Sequence, residues 1–285
     1  MSNDFPKTFF LGMGAGKSGS TWIYDYLISH PEVSPGPLKE MRVLARPEYT
    51  NQLYAFLNLP WHKFEGKWWL RENLQRLSYR SDWKKYFSVY TDILKGDAMA
   101  TGENSPGNMK LSSSVLRRVK DEFSDRNIRV VPIFVMRDPV DMLRSTVSYR
   151  IKRDSESSYS KPLFSDQESA LRSNFSEEIL SRFEYGKALR NILSIFDSSD
   201  VFLTFYERLF ADTEIQRLCS TLSLRYFPAD FASKVNDSGR KVDLSDQHLF
   251  ALSSKFQHIY SEVADVFGSK YLAEIWPLSR QFLDV

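Results

Sequence analysis

A glycine-rich turn directly after the first apolar segment constrains the fold of this chain more than any other feature. Residues 7–12 read Lys-Thr-Phe-Phe-Leu-Gly, a short apolar run that is typical of a buried strand. Residues 12–20 read Gly-Met-Gly-Ala-Gly-Lys-Ser-Gly-Ser, and apolar residues then recur at helical spacing until Pro31. A strand, a glycine turn and a helix in this order open a parallel α/β sheet. We therefore predict an α/β fold with a P-loop-like phosphate-binding turn after its first strand.

Later segments continue the alternation of strands and helices. Asp138 followed by Pro139 combines a helix-capping residue with a residue that suits the first helical position. The patterns predict further strands at residues 98–102, 128–136 and 200–206, and helices at residues 112–123, 175–196 and 249–267. We expect these elements to form one central parallel sheet flanked by helices.

Chain length and two unusual stretches indicate the domain organisation. The 285 residues fit one domain, which we place at residues 1–285. Residues 50–95 carry several tryptophans among charged residues, and this pattern predicts an aromatic helical insertion. Residues 154–172 are rich in serine and show little periodicity, so we predict a mobile loop there.

The composition excludes several classes of function. Apolar residues make up 42% of the chain and charged residues 26%, an ordinary globular balance. The net charge is +2, so no overall field attracts nucleic acid or an anionic membrane, and any bound anion needs a local pocket. The single cysteine, Cys219, excludes an internal disulfide framework and multi-cysteine metal sites. We find no signal-like apolar run and no stretch of the roughly 18 apolar residues that a membrane span requires. We therefore expect a cytoplasmic protein.

The glycine turn suits a phosphate or a related oxyanion, because it presents several backbone N–H groups at the start of a helix. A Walker A loop would need a glycine at position 11, which is Leu11. Residues 14–19 satisfy the dinucleotide pattern GxGxxG. That pattern also expects a carboxylate about twenty residues later at the end of a strand. The nearest carboxylates, Glu32 and Glu40, lie among prolines that argue against a strand.

A third template agrees better with the turn. The segment Lys17-Ser-Gly-Ser-Thr-Trp22 resembles the 5′-phosphosulfate loop of sulfotransferases, Lys-Ser-Gly-Thr-Thr-Trp, which also follows a strand and opens a helix. The resemblance implies that Lys17 neutralises the charge that grows on the bridging oxygen as the sulfuryl group departs. It implies that Trp22 stacks on adenine, and that the phosphosulfate is held by Ser18, Gly19, Ser20 and Thr21. The alternative is a structural turn with a solvated lysine, or a tryptophan that belongs to the core.

A second segment also resembles this family. Sulfotransferases have a strand that ends in Arg-x-Pro and a serine eight residues after the arginine, and here these are Arg137 and Ser145. The resemblance implies that both bind the 3′-phosphate of 3′-phosphoadenosine 5′-phosphosulfate (PAPS). A guanidinium at a strand end can bind a phosphate through two parallel hydrogen bonds. The alternative is an ion pair of Arg137 with Asp138 or Asp141.

A third, looser match lies near the end of the chain. Residues 238–241 read Ser-Gly-Arg-Lys and resemble the Lys-Gly-Arg loop with which glycosaminoglycan sulfotransferases close over the nucleotide. The resemblance assigns Arg240 to nucleotide binding, with Lys241 as a substitute for the missing lysine. A solvated basic turn is the alternative.

The general base is sought among carboxylates, because no histidine occupies the mid-chain position of the base in phenol-type sulfotransferases. The segment Leu38-Lys-Glu-Met41 resembles the Lys-Glu-x-His/Phe segment of glycosaminoglycan and bacterial sulfotransferases, in which the glutamate is the base. The resemblance makes Glu40 the candidate, and a solvated Lys-Glu pair is the alternative. Glu103 lies in a segment that resembles the family's Gly-Glu-x-Ser/Thr-Pro, which implies a substrate-orienting group or an alternative base.

Together these segments, spread over about residues 8–245, make the chain similar to PAPS-dependent sulfotransferases, closer to the glycosaminoglycan and bacterial branch than to the phenol-type branch. The resemblance implies sulfuryl transfer from PAPS to a hydroxyl, or less commonly an amine, of a carbohydrate or other polar small molecule, with PAP as product and no metal. A P-loop-type kinase and a non-catalytic nucleotide-binding protein are the alternatives. Acceptor identity and oligomeric state are left open.

Overall fold

A four-stranded parallel sheet lies at the centre of the molecule. The computed structural model describes residues 6–45, 67–156, 183–232 and 245–284. Within them the strands are β1 (Lys7–Gly14), β2 (Ala100–Asn104), β3 (Ile128–Met136) and β4 (Phe202–Phe205). They pair in the order β2-β1-β3-β4, every pair parallel. The predicted single α/β domain with a central parallel sheet is confirmed.

The strand order determines where a ligand can bind. The chain goes from β1 to β2 on one side, and then returns to β3 on the other side of β1. The loops that follow β1 and β3 therefore diverge at the same edge of the sheet, which is where open α/β sheets bind ligands. A hydrogen bond from the Ala15 N–H to the Val135 carbonyl oxygen, at 2.9 Å, fastens the glycine turn to the end of β3.

Helices surround the sheet. They are α1 (Ser20–Ser29), α2 (Lys67–Ser81), α3 (Trp83–Leu94), α4 (Ser113–Ser124), α5 (Pro139–Glu156), α6 (Tyr185–Leu193), α7 (Tyr206–Leu209), α8 (Asp212–Thr221), α9 (Asp246–Lys255), α10 (Gln257–Phe267) and α11 (Ser269–Ile275). Short 3-10 helices lie at Pro106–Lys110, Ser198–Asp200 and Pro277–Phe282.

The sequence patterns agree closely with the boundaries of some elements and differ at others. Of the helix expected at 175–196, the described part contains α6 (Tyr185–Leu193), and the strand expected at 98–102 lies at Ala100–Asn104. The strand at 128–136 is found residue for residue, and the strand expected at 200–206 is shorter at both ends. The long helix expected at 249–267 is instead two helices, α9 and α10, which meet at Phe256. This residue leaves helical geometry where its fully buried ring packs against Phe183, with centroids 4.8 Å apart.

Parts of two predicted stretches lie outside the described residues. Of residues 50–95, the described part contains helices α2 and α3, and residues 50–66 lie outside it. Of residues 154–172, the first three form the end of α5 and the others lie outside. The predicted nucleotide contact of Arg240 also lies outside the described residues.

Successive side chains of the strands enter two separate cores, because they point to opposite faces of the sheet. On one face Phe9 stacks on Phe123 of α4, with ring centroids 4.2 Å apart. On the other face Phe10 makes an edge contact with Tyr24 of α1, at 6.3 Å. Both strand phenylalanines are almost completely buried. Helices on both faces thus cover β1, and the strand presents its carboxyl end to the glycine turn.

Gly102 tests how closely β1 and β2 must approach. A Cβ at this position would lie 2.0 Å from the carbonyl oxygen of Phe10, the residue with which Gly102 pairs. We expect Gly102→Ala to lower the free energy of unfolding by more than the about 1–3 kcal/mol that is usual for overpacking, because backbone atoms must move. Urea unfolding measures this loss. Gly96→Ala is the control, because its nearest contact would be 3.6 Å away at an exposed site, and we expect a change within about 0.5 kcal/mol.

Candidate active site

The glycine turn between β1 and α1 combines unusual backbone geometry with close packing. Lys17 has a φ of 65°, a left-handed conformation that is uncommon for a residue with a side chain. Gly19 has a φ of 80°, and a Cβ there would lie 2.8 Å from Leu209. Helix α1 begins at Ser20, so its first backbone N–H groups face the turn. The surrounding structure must hold the strained lysine in place, and such strain is common at functional sites.

Arg137 brings the end of β3 to this turn. Its NH1 group donates a hydrogen bond to the carbonyl oxygen of Lys17 at 2.9 Å, across 120 residues of sequence. Its guanidinium lies 4.1 Å from the ring centroid of Tyr206. The residue is only 6% exposed, and its Nε has no hydrogen-bond partner within the part of the chain that the structure describes. A buried donor without a partner is rare in proteins, so this geometry fits an anionic ligand that supplies acceptor oxygens.

Helix α5 lies along the same turn. Met142 Sδ accepts a hydrogen bond from the Ser18 hydroxyl at 3.7 Å, and the Lys17 ammonium lies 3.3 Å from the ring centroid of Tyr149. Met142, Ser145 and Tyr149 share one helix face, because they are three and four residues apart. Buried Ser145 therefore lies on the face of α5 that packs against the turn.

Lys17 and Arg137 form a pair of like charges at the turn. Burial, and secondly the charge of Arg137, lower the pKa of Lys17 from 10.5 to about 8. Two cations held this close repel each other, and an anion bound between them would relieve that repulsion. The electrostatics of the turn therefore favour a ligand with more than one negative charge.

Two carboxyl groups, Asp138 and Glu207, hold the start of α5. Asp138 accepts hydrogen bonds from the N–H groups of Val140, at 2.9 Å, and Asp141, at 3.4 Å, which confirms the predicted helix cap. Burial, and secondly the charge of Asp141, raise the pKa of Asp138 to about 7. The Asp138 N–H donates to Glu207 Oε1 at 3.1 Å, and Trp276 Nε1–H donates to Glu207 Oε2 at 3.1 Å. Burial also raises the pKa of Glu207. This network holds the backbone next to Arg137.

Glu40 lies in the segment between α1 and α2. Its Oε2 accepts hydrogen bonds from the Arg42 guanidinium, one of them from Nε at 2.8 Å. Its backbone carbonyl accepts a hydrogen bond from Arg76 Nε at 3.0 Å. The side chain of Glu40 is 30% exposed, so solvent or a small molecule can reach the carboxylate. Glu40 therefore meets the access requirement for a general base.

Asn104 connects the Glu40 segment to the glycine turn. Its backbone N–H donates to the Lys39 carbonyl oxygen at 3.0 Å, and its side-chain amide donates to the Ser20 carbonyl oxygen at 2.7 Å. One residue at the end of β2 thus links the backbone of the segment that contains Glu40 to the backbone at the start of α1. The sequence reasoning did not identify Asn104.

Glu103 differs from Glu40 because it is completely buried. Its Oε2 accepts hydrogen bonds from the Ser105 hydroxyl at 2.6 Å and the Met41 N–H at 3.1 Å. Its Oε1 accepts one from the Tyr86 hydroxyl at 2.8 Å, and burial raises its pKa. Both oxygens are occupied by protein groups, so this geometry suits a residue that positions the 40–42 segment.

The remaining predicted contacts lie on α1. Trp22 is buried and almost parallel to Tyr26 and Phe231, with centroids 6.0 Å and 5.8 Å apart, and Phe210 meets it edge-on. The ring thus belongs to an aromatic cluster, and its contact with adenine stays a prediction. Ser18 and Ser20 are buried, and Thr21 is half-buried.

Comparisons with known proteins agree with this architecture. A family model described as the sulfotransferase domain matches residues 7–230. The crystal structure of a sulfotransferase from Alicyclobacillus acidocaldarius has a TM-score of 0.58 and 18% identity, covering 92% of this chain and 96% of that chain. This likeness shows the fold.

Two further solved structures are similar over most of the chain. The sulfotransferase domain of the Synechococcus PCC 7002 olefin synthase has a TM-score of 0.44 and 15% identity, covering 85% of this chain and 87% of its own. The sulfotransferase domain from the curacin biosynthetic pathway has a TM-score of 0.47 and 16% identity, covering 84% of each chain. No curated protein sequence matches the chain.

Among the described helices, none combines the length and apolar character needed to cross a membrane.

The buried Asp138 carboxyl predicts a pH dependence of stability. Its pKa rises from 3.8 to about 7 in the folded protein, so folding favours the protonated form. The resulting stabilisation is complete below pH 3.8 and is lost as the pH rises through about 7. Asp138→Asn keeps the capping oxygen but cannot titrate. We expect it to reduce the downward slope of the unfolding free energy against pH, between pH 4 and pH 7, by an amount that corresponds to up to about one bound proton. Thermal denaturation across this range measures the slope. Asp125→Asn, at an exposed carboxylate, is the control and should leave the slope unchanged.

Proposed function

The chain belongs to the sulfotransferase domain family, and we propose that it transfers a sulfuryl group from PAPS to a hydroxyl group of a carbohydrate or another polar small molecule. The single observation that carries this proposal is the convergence of Lys17 and Arg137 at the edge of the sheet where the loops after β1 and β3 diverge. Arg137 is buried there with its Nε unpaired among the described residues. Two cations at a turn of backbone N–H groups suit a nucleotide that carries phosphates at two positions.

The residues at the turn have separate tasks in this proposal. The N–H groups and hydroxyls of Ser18, Ser20 and Thr21 hold the 5′ end of the donor. Arg137 and Ser145, from the end of β3 and from α5, hold its 3′-phosphate. When bound, the donor supplies the sulfuryl group that is transferred. The Lys17 ammonium stabilises the negative charge that develops on the departing phosphate oxygen.

Glu40 removes the proton of the acceptor hydroxyl. Both hydrogen bonds from Arg42 end on Oε2, which orients the carboxylate, and we assign proton acceptance to Oε1. As the acceptor oxygen forms its bond to sulfur, its proton passes to Glu40, and the sulfur–oxygen bond of the donor breaks beside Lys17. Glu103 holds residues 40–42 in place, because its Oε2 accepts hydrogen bonds from the Met41 N–H and from the Ser105 hydroxyl.

The side chains near Glu40 support a polar acceptor. Lys39, the neighbour of Glu40 in sequence, pairs with Asp25 at 2.8 Å, and Arg76, which bonds to the Glu40 carbonyl oxygen, pairs with Glu72 at 3.0 Å. Charged groups therefore lie next to the candidate base. A phenol or another apolar acceptor would have to desolvate these groups without replacing their hydrogen bonds. A carbohydrate offers several hydroxyls that can replace them.

The donor proposal predicts a specific pattern of nucleotide binding. PAP should stabilise the protein against thermal unfolding without magnesium, by about 2.7 kcal/mol at one hundred times its dissociation constant. Arg137→Ala should abolish the preference for PAP over AMP, a loss on the order of 2 kcal/mol for a hydrogen bond to a charged group. Thermal shift and calorimetric titration measure both effects.

Arg129→Ala is the matched control for this substitution. Arg129 lies at the start of β3, at the opposite end of the strand from Arg137, and pairs with Asp200 at 3.0 Å, so its loss should lower stability and leave the nucleotide preference intact. An unchanged preference in Arg137→Ala would make that arginine a structural residue. Stabilisation by magnesium-ATP in place of PAP would favour the kinase alternative instead.

The base assignment predicts a loss of turnover without a loss of binding. Glu40→Gln keeps the shape of the side chain but cannot accept a proton at neutral pH, so turnover should fall roughly 10²–10⁴-fold with unchanged affinity for PAP. The assay uses sulfur-labelled PAPS with an acceptor identified in a screen. Lys17→Ala should also slow transfer, even with an activated acceptor, because it acts on the leaving group.

Glu103→Gln separates the two carboxylates. Glu103 now accepts hydrogen bonds from hydroxyl and N–H donors on both oxygens, and the NH2 group of a glutamine cannot accept them. We therefore expect reduced stability, with most turnover retained below the unfolding temperature. If Glu103→Gln abolished turnover and Glu40→Gln did not, the base would be Glu103. Binding of PAP without turnover on any acceptor would indicate a non-catalytic nucleotide-binding protein.

A further inference from the structure

The contact between Lys17 and Tyr149 is not explained by any family motif in the sequence. The Lys17 ammonium lies 3.3 Å from the centroid of the Tyr149 ring, well within the range of a cation–π interaction. Tyr149 is on α5, one helical turn after Ser145, and is 42% exposed. An exposed tyrosine is not needed for the core, so its place beside the turn calls for a different explanation.

The backbone of Lys17 is already held in place. Arg137 bonds to its carbonyl oxygen, and its left-handed φ of 65° leaves little freedom of the main chain. The long, flexible side chain is the remaining source of variation, and a lysine loses considerable rotamer entropy when it is ordered. The Tyr149 ring supplies a surface on which the ammonium rests before a ligand arrives.

The chemistry of the ring suits this task. Arg137, at the end of β3, is the charged group that acts on Lys17, and it repels the ammonium. The turn itself contributes the Ser18 hydroxyl, α5 contributes Tyr149, and α7 contributes Tyr206, which lies against Arg137. A carboxylate in place of Tyr149 would neutralise Lys17 and repel an incoming anion. An aromatic face attracts the cation and leaves its full charge for the ligand.

We propose that Tyr149 is a positioning residue that holds the Lys17 side chain at the glycine turn and favours its charged form. The consequence for catalysis rests on the proposed function, because only there does Lys17 act on the sulfuryl donor. Burial and Arg137 lower the pKa of Lys17 to about 8. This value is close enough to neutral pH that a further decrease on loss of the ring would leave more of the lysine uncharged.

Chemical labelling of the ligand-free full-length protein tests the proposal. Competitive acetylation of lysines with acetic anhydride across a range of pH, followed by peptide mass spectrometry, reports the pKa of the Lys17 amine. We expect Tyr149→Leu, which keeps the apolar cover but removes the aromatic face, to lower that pKa by roughly half a unit to one unit. Tyr149→Phe should retain the wild-type value. Lys95, whose side chain is 72% exposed, serves as the internal reference in every sample.

Each outcome decides the proposal. An unchanged Lys17 pKa in Tyr149→Leu overturns it, as does an equal shift in Tyr149→Phe, because the hydroxyl and not the ring would then matter. Tyr149→Met is a second apolar replacement, and its result must agree with that of leucine. Circular dichroism and urea unfolding establish that each variant is folded before it is labelled.

A second measurement distinguishes this proposal from the proposed function. PAP should protect Lys17 from acetylation in the wild type and in Tyr149→Phe. If PAP gives no protection while Tyr149→Leu still lowers the Lys17 pKa, the donor assignment fails and the role of Tyr149 stands. With an active acceptor, the loss in Tyr149→Leu should appear in kcat above pH 7 and recover at lower pH, whereas a merely structural defect would not depend on pH in this way.

Discussion

The hydrogen bond from the Arg137 guanidinium to the Lys17 carbonyl oxygen is the contact on which the rest of the site depends. A buried guanidinium is stable only if its donors find acceptors, and here a backbone oxygen and the Tyr206 ring satisfy part of it. The contact joins the loops that follow β1 and β3, so the parallel pairing of these strands positions both cations. It also holds Lys17 in its left-handed conformation, with its side chain on Tyr149.

Differences in burial give chemically similar carboxyl groups different tasks. Glu103 is completely buried and bonded on both oxygens, so it organises the chain around it. Asp138 is also buried, and together with Glu207 it holds the start of α5 next to Arg137. Glu40 has a partly exposed side chain that is oriented by Arg42, which makes it accessible to an acceptor. Desolvation raises the pKa of the first three and fits them for structural roles.

Much of the fold was predictable because its signals are local. The mostly apolar and β-branched run at 128–136 predicted β3 residue for residue, and the Asp-Pro pair predicted the cap of α5. The long C-terminal helix was wrong as a single element, because its interruption at Phe256 arises from packing against Phe183, which periodicity does not reveal. Motif spacing identified Lys17 and Arg137 as candidates, and the structure brings them together.

The sequence by itself determined the order of the strands along the chain, the P-loop-like turn after the first strand and the family to which the chain is similar. Only the tertiary structure decided that β1 lies between β2 and β3, that Glu103 is completely buried, and that the Tyr149 ring contacts the Lys17 ammonium. The physical reason is the distance along the chain over which each kind of interaction acts. Propensities, caps and turns act over a few neighbouring residues, whereas burial and side-chain contacts join segments that lie far apart in the sequence, such as Glu103 and Met41, 62 residues away. Local patterns therefore predict which groups can do chemistry, and packing determines which of them lie close together.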